Sequence, residues 1–337
     1  MHLSRYLKIY PQAKRPGLNL LYSTRTGATL LIDEDTLRAA QDGTLADPER
    51  DTLARLGLLV PDPAEEREEM RNIFLNANQR RNLFQGIVVL NLDCNLACPY
   101  CYEGNFRGGQ YMSPATAKKV VETIRRGQIG KGRDVVLTFY GGEPLLSIPL
   151  MKEIAASLKE AAALRGTGFA FNLVTNGTLL SRPVAEELVP LGLNGAKFTL
   201  DGPRETHDKT RPFVSGKGSY DVIIARIREV CDLVPIQIGG NYTRHNYRSF
   251  PLLLNHLINE RITPEKVTKV LFTPVIARAS SSPVKDFDSG CACDYEPWVI
   301  EAGLFLREEV LARGFSTPRL KLFSCMAELE NDLVINF

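Results

Sequence analysis

Between residues 86 and 276, short apolar segments alternate with amphipathic stretches, and this alternation limits the fold more than any other feature. Such alternation is typical of βα units on a mainly parallel sheet. We therefore expect an α/β fold, a partial (β/α)6 parallel barrel whose reactive residues gather at the carboxyl ends of the strands. Six segments predict strands: Ile87–Asp93, Asp134–Tyr140, Phe169–Thr175, Gly195–Asp201, Val234–Tyr242 and Lys269–Ile276. Five intervening stretches predict helices: Ser113–Arg126, Ile148–Arg165, Arg182–Leu191, Tyr220–Leu233 and Ser249–Asn259.

The composition indicates a folded protein in a reducing compartment. Apolar residues make up 44% of the 337 residues and charged residues 24%, which favours a packed core over disorder. The formal net charge of +2 gives no case for a nucleic-acid or anionic-membrane partner. No apolar run approaches the ~20 residues of a membrane span, and the amino terminus has no signal-peptide pattern. We expect a cytoplasmic protein, in which clustered cysteines are ligands rather than disulfides.

The first seventy residues follow a different pattern and predict a small α+β domain. Further along, Pro63 to Asn82 reads as a long polar helix. We divide the chain into an N-terminal element (1–62), a helical linker (63–85), a core (86–285) and a C-terminal region (286–337). Short strands are predicted at Tyr6–Tyr10, Leu18–Tyr22, Ala28–Ile32 and Leu58–Val60, and helices at Asp35–Gln41 and Pro48–Leu56.

Three cysteines, Cys94, Cys98 and Cys101, directly follow the first predicted strand of the core. Three thiolates this close in sequence can hold a cubic iron–sulfur cluster by three of its four irons. The fourth iron then lacks a protein ligand, and an open metal position is where a metal centre does chemistry. The alternative is a structural zinc knuckle. Tetrahedral zinc needs a fourth ligand, and no further His or Cys lies near in sequence, although a distant ligand stays possible.

Four further motifs follow the cysteines, each at the end of a predicted strand. They are Gly141-Gly142-Glu143-Pro144, Thr175-Asn176-Gly177-Thr178, Asp201-Gly202-Pro203 with His207-Asp208 and Arg211, and Asn241-Tyr242-Thr243-Arg244-His245-Asn246. The cysteine spacing and these motifs, in the same order, resemble those of the radical S-adenosylmethionine (radical SAM) enzymes. The resemblance covers residues 86–337 and is closest to the SPASM branch, whose characterised members mostly modify peptides or proteins. Within that branch the chain looks most like maturases of geopeptide-type precursors.

The resemblance implies two cofactors, a [4Fe–4S] cluster and S-adenosylmethionine (SAM). In the family the three cysteines hold the cluster, and the amino and carboxylate groups of SAM chelate the fourth iron. An electron from the reduced cluster then cleaves SAM into methionine and a 5′-deoxyadenosyl radical, which takes a hydrogen atom from the substrate. The cofactor carries the difficult chemistry, while the protein positions it and excludes side reactions.

The resemblance also implies SAM-binding roles at the first two strand ends. Gly141 and Gly142 would form the strand edge that binds the SAM ammonium group, although a Gly-Gly pair alone is an ordinary turn. Glu143 could accept a hydrogen bond from that ammonium or cap the turn. Tyr100 would meet the adenine through its backbone, or simply pack on the loop; for Tyr102 the packing role is favoured.

Further roles are implied at the following strand ends. Asn176 and Asp201 could reach the ribose hydroxyls, and Arg211 could bind the SAM carboxylate through two hydrogen bonds. The alternative is that Asn176 and Asp201 are ordinary turn residues and that Arg211 is a surface arginine. Many relatives have Ser two residues before the Asp, where this chain has Thr199, which keeps the hydroxyl. His207 is interpreted as structural, and no catalytic side chain is assigned.

The remaining cysteines point to a region beyond the core. Cys231 lies on a predicted helix and is interpreted as a buried apolar residue. Cys325 resembles the first cysteine of the SPASM domain, and Cys291 and Cys293 are candidate ligands of an auxiliary [4Fe–4S] cluster. The chain stops at Phe337, about where the next turn of that domain begins. We therefore expect it to be a fragment of a longer protein, truncated in the SPASM domain.

The leading hypothesis is a radical SAM peptide maturase that forms a thioether crosslink in a ribosomally made peptide. The N-terminal element resembles the winged-helix-like domain that binds the leader of such a precursor, and a flavodoxin or ferredoxin would serve as reductant. The first alternative is a sulfatase-type maturase that oxidises Cys or Ser to formylglycine. The second, of another class, is a metal-containing peptide-recognition protein without turnover.

Overall fold

The computed structural model describes residues 1–11, 16–80, 82–101, 103–275, 296–318 and 332–335. These residues belong to two compact units, Met1–Arg81 and Asn82–Pro318, with Asp332–Phe337 assigned to the second. Among the described helices, none is both long enough and apolar enough to cross a membrane.

The first unit is a small α+β assembly. In its described part, β2, β3 and β4 form an antiparallel sheet with β3 at the centre, and β1 pairs with β5. The side chain of Asp33 caps α1 by accepting a hydrogen bond from the Thr36 amide at 2.7 Å. The elements are β1 (His2–Leu3), β2 (Leu7–Pro11), β3 (Leu18–Ser23), β4 (Thr29–Asp33), α1 (Glu34–Asp42), α2 (Asp47–Arg55), β5 (Leu59–Val60) and α3 (Pro63–Arg80).

The second unit contains a fully parallel sheet, in the order β11-β10-β9-β8-β7-β6-β12 among the described strands. Its strands are β6 (Leu83–Asn91), β7 (Asp134–Gly141), β8 (Phe169–Thr175), β9 (Leu193–Thr199), β10 (Ile236–Tyr242), β11 (Val267–Pro274) and β12 (Asp332–Ile335). Its helices are α4 (Pro114–Gly127), α5 (Ile148–Arg165), α6 (Arg182–Leu188), α7 (Arg204–Thr210), α8 (Tyr220–Val230), α9 (Phe250–Asn259) and α10 (Pro297–Ala312).

The main core lies between the helices and one face of this sheet, because alternate strand residues point to opposite faces. On β9, for example, Ala196 and Phe198 are buried in the core, whereas Lys197 and Thr199 point to the other face and are half-buried. We call this second face the inner face. Helices α4, α5, α6, α8, α9 and α10 all contribute residues to the core. This is the layer arrangement of βα units around a parallel sheet.

The predicted α/β fold, a partial parallel barrel, is confirmed by this sheet. Several predictions of extent need correction. The strand at Ile87–Asp93 runs from Leu83 to Asn91, and the strand at Gly195–Asp201 runs from Leu193 to Thr199. The helices predicted at Arg182–Leu191 and Tyr220–Leu233 end at Leu188 and Val230. The six-strand prediction also missed β12, which pairs with β6. The division into peptide-recognition element, linker, core and SPASM region stays a prediction.

Candidate active site

The cysteine loop, residues 92–101, leaves β6 at its carboxyl end and is held by backbone hydrogen bonds to a distant segment. The Ala97 amide donates to the Pro212 carbonyl at 2.7 Å, and the Val214 amide donates to the Asn95 carbonyl at 3.0 Å. These bonds place the loop beside the segment that follows α7. The cysteine loop is therefore held in place by its hydrogen bonds to this segment.

All three predicted cluster cysteines lie on this loop and are half-buried. Burial is the main cause that raises the pKa of the Cys98 thiol to about 11; the charge of Arg211 opposes this shift, and the charges of Asp201, Cys101 and Cys94 add to it. Burial likewise raises the pKa of Cys94. At neutral pH these two groups are therefore neutral thiols, and a metal must displace their protons to bind.

The three thiols form no single-ion site. Within the described ranges, no three His, Cys, Asp or Glu side chains are close enough to hold one metal ion. A thiolate lies about 2.3 Å from the metal it binds, so thiolates that share one ion must be near neighbours. A cubic cluster makes a different demand, because it takes one thiolate on each of three irons.

The glutamate corner, residues 141–143 with Thr175 and Asn176, lies where β7 and β8 end. Gly141 has φ +142°, and a Cβ there would lie 2.2 Å from the Asn91 carbonyl oxygen. A Cβ on Gly142 would lie 2.2 Å from the Asp93 carbonyl oxygen. The two glycines are therefore required by the close approach of the backbone at the end of β6 and the start of the cysteine loop.

Glu143 holds the glutamate corner together from a fully buried position. Its Oε1 accepts hydrogen bonds from the Thr175 hydroxyl at 2.8 Å and the Leu145 amide at 3.0 Å. Its Oε2 accepts from the Asn176 amide at 2.8 Å. Burial raises the pKa of this carboxyl group, and the three donors oppose that shift. The carboxylate thus fastens the end of β7 to the end of β8.

The side chain of Asn176 joins this corner to the cysteine loop. Its Nδ2 donates to Asn95 Oδ1 at 2.8 Å and lies 3.7 Å from the Sγ of Cys94. Its Oδ1 accepts from both the amide and the hydroxyl of Thr178, at 2.9 and 2.7 Å. Asn95 in turn donates to the Thr178 hydroxyl at 2.8 Å. Asn176, which the sequence predicted to bind the ribose of SAM, therefore also positions Cys94.

The tyrosine corner, Tyr100 with Asp201, Arg211 and Asn241, lies where β9 and β10 end. The Tyr100 hydroxyl donates to Asp201 Oδ2 and accepts from Arg211 Nη1 at 2.8 Å and Asn241 Nδ2 at 3.2 Å. Asp201 Oδ1 accepts from the Asn241 amide at 2.7 Å. Burial raises the pKa of Asp201, while Arg211 lowers it. A cation, a carboxylate and a phenol thus share one buried hydrogen-bond network.

His207 is hydrogen-bonded to the backbone of the tyrosine corner. Its ring is fully buried; Nδ1 accepts from the Asp201 amide at 3.2 Å, and Nε2 lies 3.0 Å from the Ser219 hydroxyl. Because Nδ1 accepts, the proton is on Nε2 and is donated to Ser219, whose hydroxyl donates to the Arg211 carbonyl at 2.6 Å. Burial and the charge of Arg211 lower the pKa of His207 to about 3. The ring is neutral and aligns Asp201 and Arg211.

The structure gathers most of the predicted site residues at adjoining strand ends. Thr199 is half-buried on the inner face, and within the described residues its hydroxyl forms no hydrogen bond. Sequence reasoning missed Asn241 as a member of the tyrosine corner and Asn95 as a partner of Asn176, although both lie inside motifs that it had singled out. Tyr102, Cys291, Cys293 and Cys325 lie outside the described residues. Cys231 is half-buried at the end of α8 and packs against the main core.

Residues 88–246 match the radical SAM superfamily, and the cysteine loop and both corners lie within this range. These residues form a radical SAM domain. Radical SAM domains belong to enzymes that use a [4Fe–4S] cluster and SAM.

Curated relatives support the same assignment over part of their length. The Fe-coproporphyrin III synthase of Methanosarcina barkeri is 31% identical over 182 residues, which cover 52% of this chain and 42% of the synthase. The cysteine-type anaerobic sulfatase-maturating enzyme of Clostridium novyi is 28% identical over 144 residues, 40% of this chain and 37% of that enzyme. The chain therefore spans less than half the length of these relatives.

Two solved structures share the fold. The structure of native anSMEcpe with bound AdoMet and Cp18Cys peptide matches with a TM-score of 0.55 at 17% identity, covering 69% of this chain and 62% of that one. SuiB of Streptococcus suis, bound to S-adenosylmethionine, matches with a TM-score of 0.52 at 14% identity, covering 96% of this chain and 74% of that one.

The described residues fit the two cofactors of the radical SAM family. Three half-buried thiols on one loop are a soft donor set suited to iron and sulfide. Beside them the Nε of Arg211 is buried, and no described residue accepts a hydrogen bond from it. An unsatisfied guanidinium N–H beside the cysteine loop can bind a carboxylate, and SAM carries one.

Proposed function

We propose that this chain binds a [4Fe–4S] cluster through Cys94, Cys98 and Cys101 and cleaves SAM reductively to modify a ribosomally made peptide. The observation that carries the proposal is the cysteine loop, fixed at the ends of four parallel strands with the free Nε of Arg211 beside it. When bound, the cluster and SAM together supply a 5′-deoxyadenosyl radical that abstracts a hydrogen atom.

The protein residues would orient the cofactors rather than exchange protons with them. Asn176 holds Cys94 in place, and the glutamate corner fastens the loop to β7 and β8. In the tyrosine corner, Asp201 and Arg211 present a carboxylate and a cation to the ribose hydroxyls and the carboxylate of SAM. Gly141, Gly142 and Thr199 are proposed to line the methionine end.

A peptide substrate is supported by the first unit, which has the three antiparallel strands and three helices expected of a leader-binding element. SuiB, whose fold extends over 96–97% of this chain, has been solved with its precursor peptide SuiA. We propose that the first unit binds a leader and the second modifies the core peptide. A flavodoxin or ferredoxin would supply the electron, and a reducing cytoplasm suits the thiol ligands.

The test of SAM cleavage uses the chain reconstituted anaerobically with iron and sulfide. With dithionite and SAM, the wild type is expected to form 5′-deoxyadenosine, and Cys98→Ala to form none. Cys231→Ala is the matched control, since this half-buried cysteine caps the carboxyl end of α8 outside the cysteine loop, and it should keep wild-type turnover. A reconstituted protein with a full cluster that never cleaves SAM contradicts the proposal, and stoichiometric zinc in place of iron favours a binding protein without turnover.

The product is proposed to be a thioether between a cysteine sulfur and a carbon of the same peptide. Forming this bond removes two hydrogen atoms from the peptide: the radical takes one, and the other leaves as a proton to solvent and an electron to an electron acceptor. The likeness to anSMEcpe and the Clostridium novyi enzyme favours formylglycine as the second candidate product. Mass spectrometry of the coexpressed peptide distinguishes them, because a thioether loses two hydrogens and keeps sulfur, whereas formylglycine formed from cysteine loses sulfur.

A further inference from the structure

Lys197 is a cation on the inner face of the sheet with no partner among the described residues. It points away from the core, between the outward-facing Ala196 and Phe198, and it is half-buried. No hydrogen bond or ion pair joins its amine to a described residue, and burial alone lowers its pKa. No described acidic group therefore offsets the cost of removing this charge from water.

The neighbouring strand is shaped to admit the lysine side chain. Lys197 pairs with Gln237 of β10, while Gly239 pairs with Thr199. A Cβ on Gly239 would lie 2.5 Å from the Cε of Lys197 and 3.4 Å from its Nζ. The lysine therefore leans along the strand direction and lies over the Gly239 backbone, in space that a larger residue would fill.

Because the Lys197 side chain lies over Gly239, its amine is next to the tyrosine corner on the inner face, on the side of the amino end of β10. Gly239 is two residues before Asn241, so the next inward-facing side chain on β10 belongs to that corner. At about 3.3 Å per residue, the two positions are about 7 Å apart along the strand. The ammonium group thus lies on the inner face, one position deeper than the residues proposed to bind SAM.

We propose that the Lys197 ammonium binds a carboxylate group of the peptide substrate on the inner face. This proposal rests on the proposed function for the identity of the substrate. An ammonium group offers three donors, and a charge-assisted bond to a carboxylate is among the strongest that a half-buried amine can form. Such a bond would also recover the energy lost by burial of the amine. The carboxylate belongs either to an acidic side chain of the peptide or to its carboxyl terminus.

The test uses the full chain with its lysines dimethylated by a ¹³C reagent, because the methyl signals report on each amine. The Lys197 signal is the one that Lys197→Met lacks. The probes are three peptides that differ only in their carboxylates: Ac-Gly-Glu-Gly-NH2, Ac-Gly-Gln-Gly-OH and Ac-Gly-Gln-Gly-NH2. Either of the first two is expected to shift the signal, which identifies the source of the carboxylate, and the third is not.

Two variants and a control sharpen the test. Lys197→Met is expected to weaken binding of the active peptide at least tenfold. Gly239→Ala should weaken it severalfold, because it displaces the side chain without removing its charge. Lys269→Met removes an exposed lysine two strands away on β11 and should leave the affinity within twofold. Circular dichroism of each variant confirms the fold before titration.

Three results would overturn the proposal. Equal shifts with all three peptides would mean that the amine does not select a carboxylate. Unchanged affinity in Lys197→Met would mean that the bond does not form. Loss of SAM affinity in Lys197→Met, with peptide affinity kept, would assign the amine to the carboxylate of SAM instead. These readouts need no turnover, so a failure of the proposed SAM cleavage is recorded separately by the 5′-deoxyadenosine assay.

Discussion

The glutamate corner and the tyrosine corner each bury one carboxylate completely at the end of a strand, yet they satisfy it differently. Glu143 accepts from two backbone amides and a threonine hydroxyl, which have fixed positions. Asp201 accepts from a backbone amide and from the phenol of Tyr100, which in turn bonds Arg211 and Asn241. The first corner is a fixed joint, and the second is a network of side chains that can rearrange when a ligand arrives.

This difference predicts that changes in the glutamate corner mainly reduce stability. The largest effect is expected for Gly142→Ala, because its Cβ would lie 2.2 Å from the Asp93 carbonyl oxygen and 2.6 Å from its carbonyl carbon. Overpacking against backbone should lower the free energy of unfolding by about 3 kcal/mol, measured by denaturant titration. Gly127→Ala, where nothing lies within 4 Å, is the control and should change it by less than about 1 kcal/mol.

The next effect concerns the fixed donors of the same corner. In Glu143→Gln the new amide group must face an N–H or O–H donor whichever way it turns, since both carboxylate oxygens accept hydrogen bonds. One buried donor is then unsatisfied, and we expect a loss of about 2 kcal/mol of stability. The exposed Glu160→Gln on α5 should change stability by less than about 0.5 kcal/mol. Equal denaturation midpoints for the two variants would mean that Glu143 is not the joint.

The stability of the fold should depend on pH through His207, which is hydrogen-bonded to Asp201 of the tyrosine corner. The pKa of His207 is lowered to about 3 in the folded protein from 6.5, so the unfolded chain binds the extra proton first. Stability contributed by the neutral ring is therefore present above pH 6.5 and is lost as the pH falls towards 3. Between pH 6.5 and 5 the loss is about 2 kcal/mol for one proton.

The measurement compares the wild type with His207→Gln by denaturant titration at several pH values. The difference removes the contributions of Glu143 and Asp201, whose raised pKa values act in the opposite direction, since they destabilise the fold as pH rises. The variant should be less stable at pH 7 but should lose less on acidification. Parallel curves would contradict the neutral, buried assignment of this ring.

The smallest effect is expected for Tyr100→Phe. Asp201 loses one donor, and Arg211 and Asn241 lose one acceptor, but side chains can move to compensate. We expect about 1 kcal/mol of lost stability together with weaker SAM binding. Tyr111→Phe removes an exposed hydroxyl bonded to Asp93 at 3.0 Å and serves as the control. If Tyr100→Phe proved more destabilising than Glu143→Gln, the contrast between the two corners would be wrong.

The sequence predicted those parts of the fold that depend on local pattern. Apolar alternation placed β8 at its observed bounds and β7 within one residue, because both strands bury alternate side chains. It missed β1, which is two residues long, and β12, whose strand character comes from pairing with β6 far away in sequence. Short strands of this kind are defined by their partners rather than by their own composition.

In the candidate site, too, the sequence predicted the features that depend on local spacing and missed those that depend on contacts between distant residues. The spacing of the three cysteines marks the loop without any structure, since ligand spacing is local. The bond from Arg211 to Tyr100 joins residues 111 positions apart, and that from Asn241 to Tyr100 joins residues 141 apart, so no sequence window contains them. Lys197 carried no motif, and its position over Gly239 depends on the register of two strands. The cofactor roles of individual residues stay predictions.

The backbone hydrogen bonds that hold residues 92–101 have a practical consequence. Since the Ala97–Pro212 and Val214–Asn95 bonds form within the protein, the loop is ordered when the chain folds rather than when metal is delivered. Oxidative loss of a bound iron–sulfur cluster would then leave the cysteine loop folded. Repair after an oxidative insult should accordingly need only fresh iron, sulfide and reductant, and no new round of chaperone-assisted synthesis.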